Sequence, residues 1–480
     1  MNSLNHIIHS SKNIQQIMQN FAKGAASFPR EIDGMQKGLY AFFVAEYFLR
    51  DCTTAVLVVP EEQDAKDLIA DLQTVFADGQ GGLSADIYYL PWWGTLPYRP
   101  AAKGARIFGE RACVLAKFLK TNPAFSGLFP EPHKNAARED FPKRAAVFVA
   151  TQRSFLTPVP PPEYTASLLF YVHVGLAFDP AALADRLVSQ GYTRVPRVTV
   201  RGEFTLRGEV LDIFMPGEDY AQRIVFDFDR IESIRSFDCE TQTSLGKTDG
   251  LLIYPMKETV WTDGLILKLQ NKLAKNEDSC ASLIEGLLTA REAEGEEFFY
   301  PVVHAADGQN TAGAQKNSYP CMLDYAGEDA VVMFLDYDRQ VNAQDNLEKE
   351  YAGLYKKALA SRYVPPPETQ LLRFDDSVQK HGKRILFRTI KTEDTQELSR
   401  LHVDCDPARS FFGNINYLKE SIEGLQKDFW RIFICAGSEN QALRIDELLK
   451  DFTRVQKLAP QKGASRPTND NECGTLQSFG

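Results

Sequence analysis

RGEFTLRGEVLDIFMPGEDYAQRIVFDFDRIESIRSFD, from Arg201 to Asp238, is the stretch on which the reading of this chain turns. Apolar and polar residues alternate through RVTVRGEF, RGEVLDIF and RIVFDFD, and turn residues fall at Pro216-Gly217 and near Asp229-Arg230. A period of two broken by tight turns predicts an antiparallel meander. Just upstream, Asp179 stands before Pro180 as a helix cap and Gly191 closes the helix, so residues 166–250 read as a compact α+β module. Seven arginines lie between Gly191 and Arg235, with no lysine among them. The planar guanidinium fork suits bidentate recognition of carboxylate or phosphate, which favours an interface. Pairing with Glu203, Glu209, Asp212, Asp227 and Glu232 across neighbouring strands fits the same composition equally well. The alternation Phe226-Asp227-Phe228-Asp229 reads as strand packing, not as a metal pair.

On either side of this module the pattern changes. TAVLVV (54–59), DIYYL (86–90), AAVFVAT (145–151) and AVVMFLD (330–336) are short continuous apolar runs. Between the first three lie the helical periods 62–77 and 105–120, preceded by another over 35–52. Fully apolar strands separated by helices predict a parallel sheet covered on both faces. Two proline runs, TPVPPPE (157–163) and VPPPE (364–368), read as linkers. The expected division is therefore 1–157 as a first α/β unit, 166–250 as the inserted module, and 251–362 completing the first unit. Residues 363–456 would form a small third α/β unit containing RIFICAG (431–437) and the helix ENQALRIDELLKDF, with 457–480 a flexible tail.

Composition narrows the function. The 54 basic against 64 acidic residues leave a net charge of -10, which disfavours a protein held to nucleic acid mainly by phosphate neutralisation. Eight scattered cysteines without a CxxC read as reduced cytosolic thiols. No apolar run approaches the roughly 20 residues a membrane span needs, so a cytoplasmic protein is expected, with no membrane partner. The seven histidines form no HExxH, and HVDCD at His402 reads as a surface turn. LPWWGTLPY (90–98) reads as a loop packed on the sheet in preference to a base-stacking platform.

A phosphate loop needs G-x-x-x-x-G-K-[ST]. The nearest segment starts at Gly34, and it places Leu39 at the second glycine, Tyr40 at the lysine and Ala41 at the hydroxyl. The strand VVMFLDYDRQ ends in Asp336 followed by Tyr337, where a working motor carries a water-orienting Glu. Both halves of one chemistry are altered.

RGEFTLRGEVLDIFMPG with QRIVFDFDRIESIRSFD resembles the module shared by UvrB and the transcription-repair coupling factor (Mfd) family, and LPWWGTLPYRP followed by Arg111 resembles that family's first domain. The loss of both Walker motifs and of UvrB's aromatic hairpin is similar to the coupling factors. The resemblance implies a degenerate helicase-like (RecA-like) sheet with an inserted module that binds UvrA, in the N-terminal part of a protein more than twice as long. It further implies no cofactor in this chain; ATP and Mg would serve the motor of the full-length factor, which displaces RNA polymerase by translocating on double-stranded DNA. Carried over by position, the family's two UvrA-contacting arginines fall on Arg207 and Arg223. Its aromatic contact falls on Asp227, leaving Phe226 and Phe228 as the candidates for that role. Two further readings stand beside this adaptor: an active UvrB-like ATPase on damaged DNA, and a module that only restrains an absent motor.

Overall fold

A computed structural model describes residues 30–50, 54–77, 84–94, 96–102, 106–129, 144–305, 319–389, 399–405, 414–428 and 439–450, with single positions at 15, 19, 28, 432 and 434. A seven-stranded sheet forms its base. In chain order the strands are β1 (Arg30–Asp33), β2 (Thr54–Val59), β3 (Ser84–Leu90) and β4 (Arg144–Thr151). Strands β5 to β12 lie outside this sheet and are described below; β13 (Val331–Phe334), β14 (Arg384–Arg388) and β15 (Ser399–His402) complete it. Their order in space is β15-β1-β14-β13-β2-β4-β3, and every ladder is parallel.

The apolar runs are continuous because both faces of the sheet are covered. Ala55, Leu57 and Val59 join Val147, Val149, Met333 and Phe387 in one core, under helices α1 (Tyr40–Arg50) and α2 (Glu62–Ala77). Val56 and Val58 join Phe148, Ala150 and Phe334 in the other, against α3 (Arg106–Thr121). Successive residues of one strand thus enter opposite cores, as the pleat requires.

Strand β5 (Phe170–His173) pairs antiparallel with β12 (Gly250–Ile253), and this two-stranded ribbon carries the chain into and out of the module. The module's own sheet runs β11-β10-β9-β8-β7-β6: β6 (Thr193–Arg194), β7 (Glu203–Arg207), β8 (Val210–Ile213), β9 (Ala221–Asp227), β10 (Arg230–Phe237) and β11 (Ser244–Thr248). Ladders from β7 to β11 are antiparallel, the expected meander. The helix Pro180–Ser189 is capped by Asp179, whose Oδ1 accepts from the Ala181 amide at 2.9 Å. RVTV does not continue as a strand. The Glu203 carboxylate accepts from the Thr199 and Val200 amides at 2.8 and 3.0 Å, bending the chain there.

The module's inner face, with Phe204, Leu211, Ile224, Phe226 and Ile234, lies in the same core as Phe118 and Phe148 of the first unit. At the seam, Gly109 of α3 meets Pro216 so closely that a Cβ would stand 2.7 Å from the proline Cβ. The Tyr254 hydroxyl donates to the Pro216 carbonyl at 2.6 Å. Arg111, wholly buried, donates Nε to Glu258 at 2.9 and 3.0 Å and Nη1 to the Pro91 carbonyl at 2.7 Å. Trp93 donates to the same carboxylate at 3.0 Å, and its ring lies 5.6 Å from the Arg111 guanidinium. The LPWWGTLPY segment is therefore packed down by Trp93 and Tyr98, both buried.

The expected third unit is corrected in one respect. β14 and β15, which fall within 363–456, belong to the first sheet and flank β1 on both sides. The second proline run does not separate them from it. Val364 is buried, Pro367 opens the short helix Pro367–Gln370, and the Leu372 amide donates to the Leu156 carbonyl at 2.8 Å. A parallel strand such as β1 must find partners somewhere, and the chain beyond the prolines supplies them. The helices Ile415–Lys427 and Glu439–Leu448 follow. Apart from positions 432 and 434, the RIFICAG segment lies outside the described residues, as does 457–480.

Candidate functional site

Two places could carry function: the crevice at the carboxyl ends of the parallel strands, and the outer face of the module's sheet.

In the crevice, β1 and β13 end on either side of β14, which brings Gly34 and Asp336 to the same edge. Gly34 has φ +79°, and a Cβ there would collide with the Val403 carbonyl oxygen. Its freedom serves the close approach of the chain beyond β15. Tyr40 opens α1 with its ring buried edge-on against Phe387 at 5.2 Å, and Ala41 is buried beside it. Burial, and secondarily the neighbouring Asp336, push the Tyr40 phenol well above its ordinary pKa. A neutral phenol and a methyl group supply neither a cation for phosphate nor an oxygen ligand for magnesium at these positions.

Asp336 has φ +54° and precedes the helix Tyr337–Leu359. It accepts from Thr389 Oγ1 at 3.1 Å and lies 3.7 Å from Lys37 Nζ. Tyr337 packs on Phe374 with ring centroids 5.7 Å apart, and the Arg388 guanidinium sits 5.0 Å above its ring. Ion pairs cross the crevice. Lys37 and Arg339 both reach Asp64, at 2.7 and 2.8 Å, and Arg339 also reaches Glu61 at 2.7 Å. Arg388 pairs with Asp338 and with buried Glu31, while Asp33 and His402 share a hydrogen bond. His402 thus sits on the edge strand and ties it to β1; it is not part of a turn. Sequence reading missed Lys37 and Arg339, whose roles depend on strand order.

The module's outer face is set by register. Arg207 stands opposite Val210, which stands opposite Val225; two residues along, Thr205, Asp212, Arg223 and Arg235 form another row. All of these side chains share one face, because the opposite parity holds Phe204, Leu211, Ile224 and Phe226 in the core.

The two expected arginines differ. Arg223 is the third residue of β9, not its first, and grips buried Asp212 with both arms, Nε to Oδ1 at 2.7 Å and Nη2 to Oδ2 at 2.9 Å. Its guanidinium lies 4.5 Å from the Phe237 ring, and the hydrogen bond to Asp212 holds its pKa above the ordinary value. It is an intrasheet partner. Arg207 ends β7 and is exposed, and its side chain has no ion pair or hydrogen bond among the described residues.

The two aromatic candidates divide as sharply. Phe226 is 1% exposed and faces the core, so it offers nothing to a partner. Phe228 is 82% exposed and holds φ +55° in the turn between β9 and β10. A bulky residue in the left-handed region costs roughly 1–2 kcal/mol. The Phe226 amide donates to the Glu209 carbonyl at 2.8 Å, which places the β7–β8 turn beside the end of β9. Arg207 and Phe228 therefore flank the same end of the sheet.

The meander and the two-stranded ribbon that carries it lie within residues 170–258, which match the UvrB interaction domain. Over most of its length the chain is also similar to transcription-repair-coupling factors. That of Borreliella burgdorferi is 26% identical over 83% of this chain and 31% of its own length. That of Myxococcus xanthus is 28% identical over 84% and 33%, and that of Bacillus subtilis 23% identical over 67% and 28%. The chain is thus similar to part of the coupling factors, and it spans about a third of the length of the relatives it matches.

Proposed function

We propose that this chain is a non-catalytic adaptor that recruits UvrA in transcription-coupled nucleotide excision repair. The observation that carries the reading is the match of residues 170–258 to the UvrB interaction domain, with exposed Arg207 and Phe228 at one open end of its sheet. An unpaired guanidinium beside an exposed aromatic ring has the composition of an interface hot spot. As part of a longer coupling factor, the chain would act alongside an ATP-driven DNA translocase that displaces RNA polymerase. The residues of the strand-end crevice support a non-catalytic part. Tyr40, Ala41 and Tyr337 replace the groups that hold phosphate, magnesium and the attacking water, and ion pairs of Lys37 and Arg339 span the space.

Titration calorimetry tests both halves. UvrA should bind saturably, while Mg-ATP should give no saturable heat at micromolar concentrations. A stoichiometric nucleotide site would revive an active UvrB-like ATPase, and absence of UvrA binding would remove the adaptor.

A further inference from the structure

The row that holds Arg223 continues across the sheet. Arg223 stands opposite Arg235, and Arg235 stands opposite Lys247 on β11. Three cations thus occupy consecutive strands on one face, and the only acid in the row, Asp212, is already held by both arms of Arg223. Like charges directly opposite one another destabilise a sheet. Arg235 has little internal compensation: Nη2 donates to Ser233 Oγ at 3.3 Å, and Nε is buried with no partner. Lys247 is exposed on the edge strand and has no ion pair among the described residues. Arg207 lies on the same face, two strands from Arg223 and three from Arg235. Of the remaining acids, Glu203 is committed to the Thr199 and Val200 amides, Asp227 stands opposite Arg230, and Glu232 sits at the β10 bulge level with Val225, outside the row of Arg235 and Lys247. An uncompensated cationic strip in a chain of net charge -10 is a local feature that the composition hides.

We propose that Arg235 and Lys247, on the same face of the sheet as Arg207, form a docking strip for a carboxylate-rich segment of a protein partner. If the adaptor reading holds, that segment belongs to UvrA, and the proposal rests on that reading for the partner's identity alone. An acidic protein segment fits better than nucleic acid, because the chain's overall negative charge repels a long polyanion while a short acidic segment meets only the strip. Bound carboxylates would relieve the repulsion within the row, so binding and stability oppose one another at these residues.

The test uses the full chain and three probes: purified UvrA, a fluorescein-labelled hexaglutamate peptide and a labelled 20-base-pair duplex. Arg235→Gln and Lys247→Gln should each weaken UvrA and hexaglutamate binding about fivefold, the effect of one exposed charge pair. Their urea midpoints should stay level or rise, and Lys275→Gln, on a helical surface elsewhere, should change neither. If hexaglutamate binds the Arg235→Gln/Lys247→Gln double variant as well as the parent, the strip is refuted, whatever UvrA does. Duplex binding tighter than the peptide and lost in that variant would also overturn it, in favour of phosphate. If Arg207→Ala weakens UvrA binding while the two strip variants do not, the adaptor stands and the strip falls. If no variant affects UvrA but hexaglutamate binding is lost from the double variant, the strip stands with another acidic partner.

Discussion

Arg223 and Asp212 face each other across β8 and β9 and share two hydrogen bonds, at 2.7 and 2.9 Å. Asp212 is 3% exposed, so among the described residues its carboxylate relies on this one guanidinium for charge compensation. That relationship separates two arginines that look alike in the sequence: Arg223 is held by an internal carboxylate, and the Arg207 side chain has no such partner among the described residues.

Arg223→Ala should destabilise the fold by about 2–3 kcal/mol, because a buried carboxylate would be left unpaired. Chemical denaturation followed by circular dichroism measures this. Arg223→Ala combined with Asp212→Asn should recover part of the loss. An unchanged midpoint in the single variant would mean that the pair contributes nothing and that Arg223 is free for a partner.

Phe228→Gly should do the opposite. Glycine adopts φ +55° without the Cβ clash, so stability should rise by up to about 1 kcal/mol, the rest being offset by glycine's greater chain entropy. UvrA binding should fall at the same time. A variant that loses stability would show that the exposed ring packs within the fold; one that keeps full affinity would remove Phe228 from the interface.

Glu297 gives a pH dependence of known sign. Its carboxyl is 2% exposed, and burial pushes its pKa up from 4.5 to about 7 despite the hydrogen bond it accepts from the Ala101 amide at 2.7 Å. The folded state therefore holds this proton more tightly than the unfolded state. Its contribution to stability is fully present below about pH 4.5 and is lost as pH rises through about 7. Glu297→Gln should accordingly stabilise the protein by on the order of 3 kcal/mol at pH 8 and hardly at all at pH 4. Urea titrations at the two pH values measure the difference. Equal effects at both would contradict a raised pKa.

The parallel sheet was legible because strands buried on both faces leave an unbroken apolar signature, as TAVLVV does, and the helix cap at Asp179 because its chemistry is local. β14 and β15 were not legible: a proline run reads as a linker, yet here Val364 enters the first unit's core and Pro367 opens a short helix before the chain returns to flank β1. The site was half legible. Composition located the arginine-rich module, but only register reveals that Asp212 meets Arg223 and not Arg207. Phe226 and Phe228 lie two positions apart, and alternation alone would put both on one face. The turn after Asp227 ends the strand before Phe228, so the second ring leaves the core that holds the first.

The most direct test of the central claim is the affinity of Arg207→Ala for UvrA, measured by titration calorimetry beside its thermal melt. Arg207 has no internal partner among the described residues, so its loss should leave the melting temperature unchanged. Removing one charge-assisted contact of roughly 1.5–3 kcal/mol should weaken UvrA binding about 10- to 150-fold. An Arg207→Ala chain that binds UvrA as tightly as the parent would contradict the account.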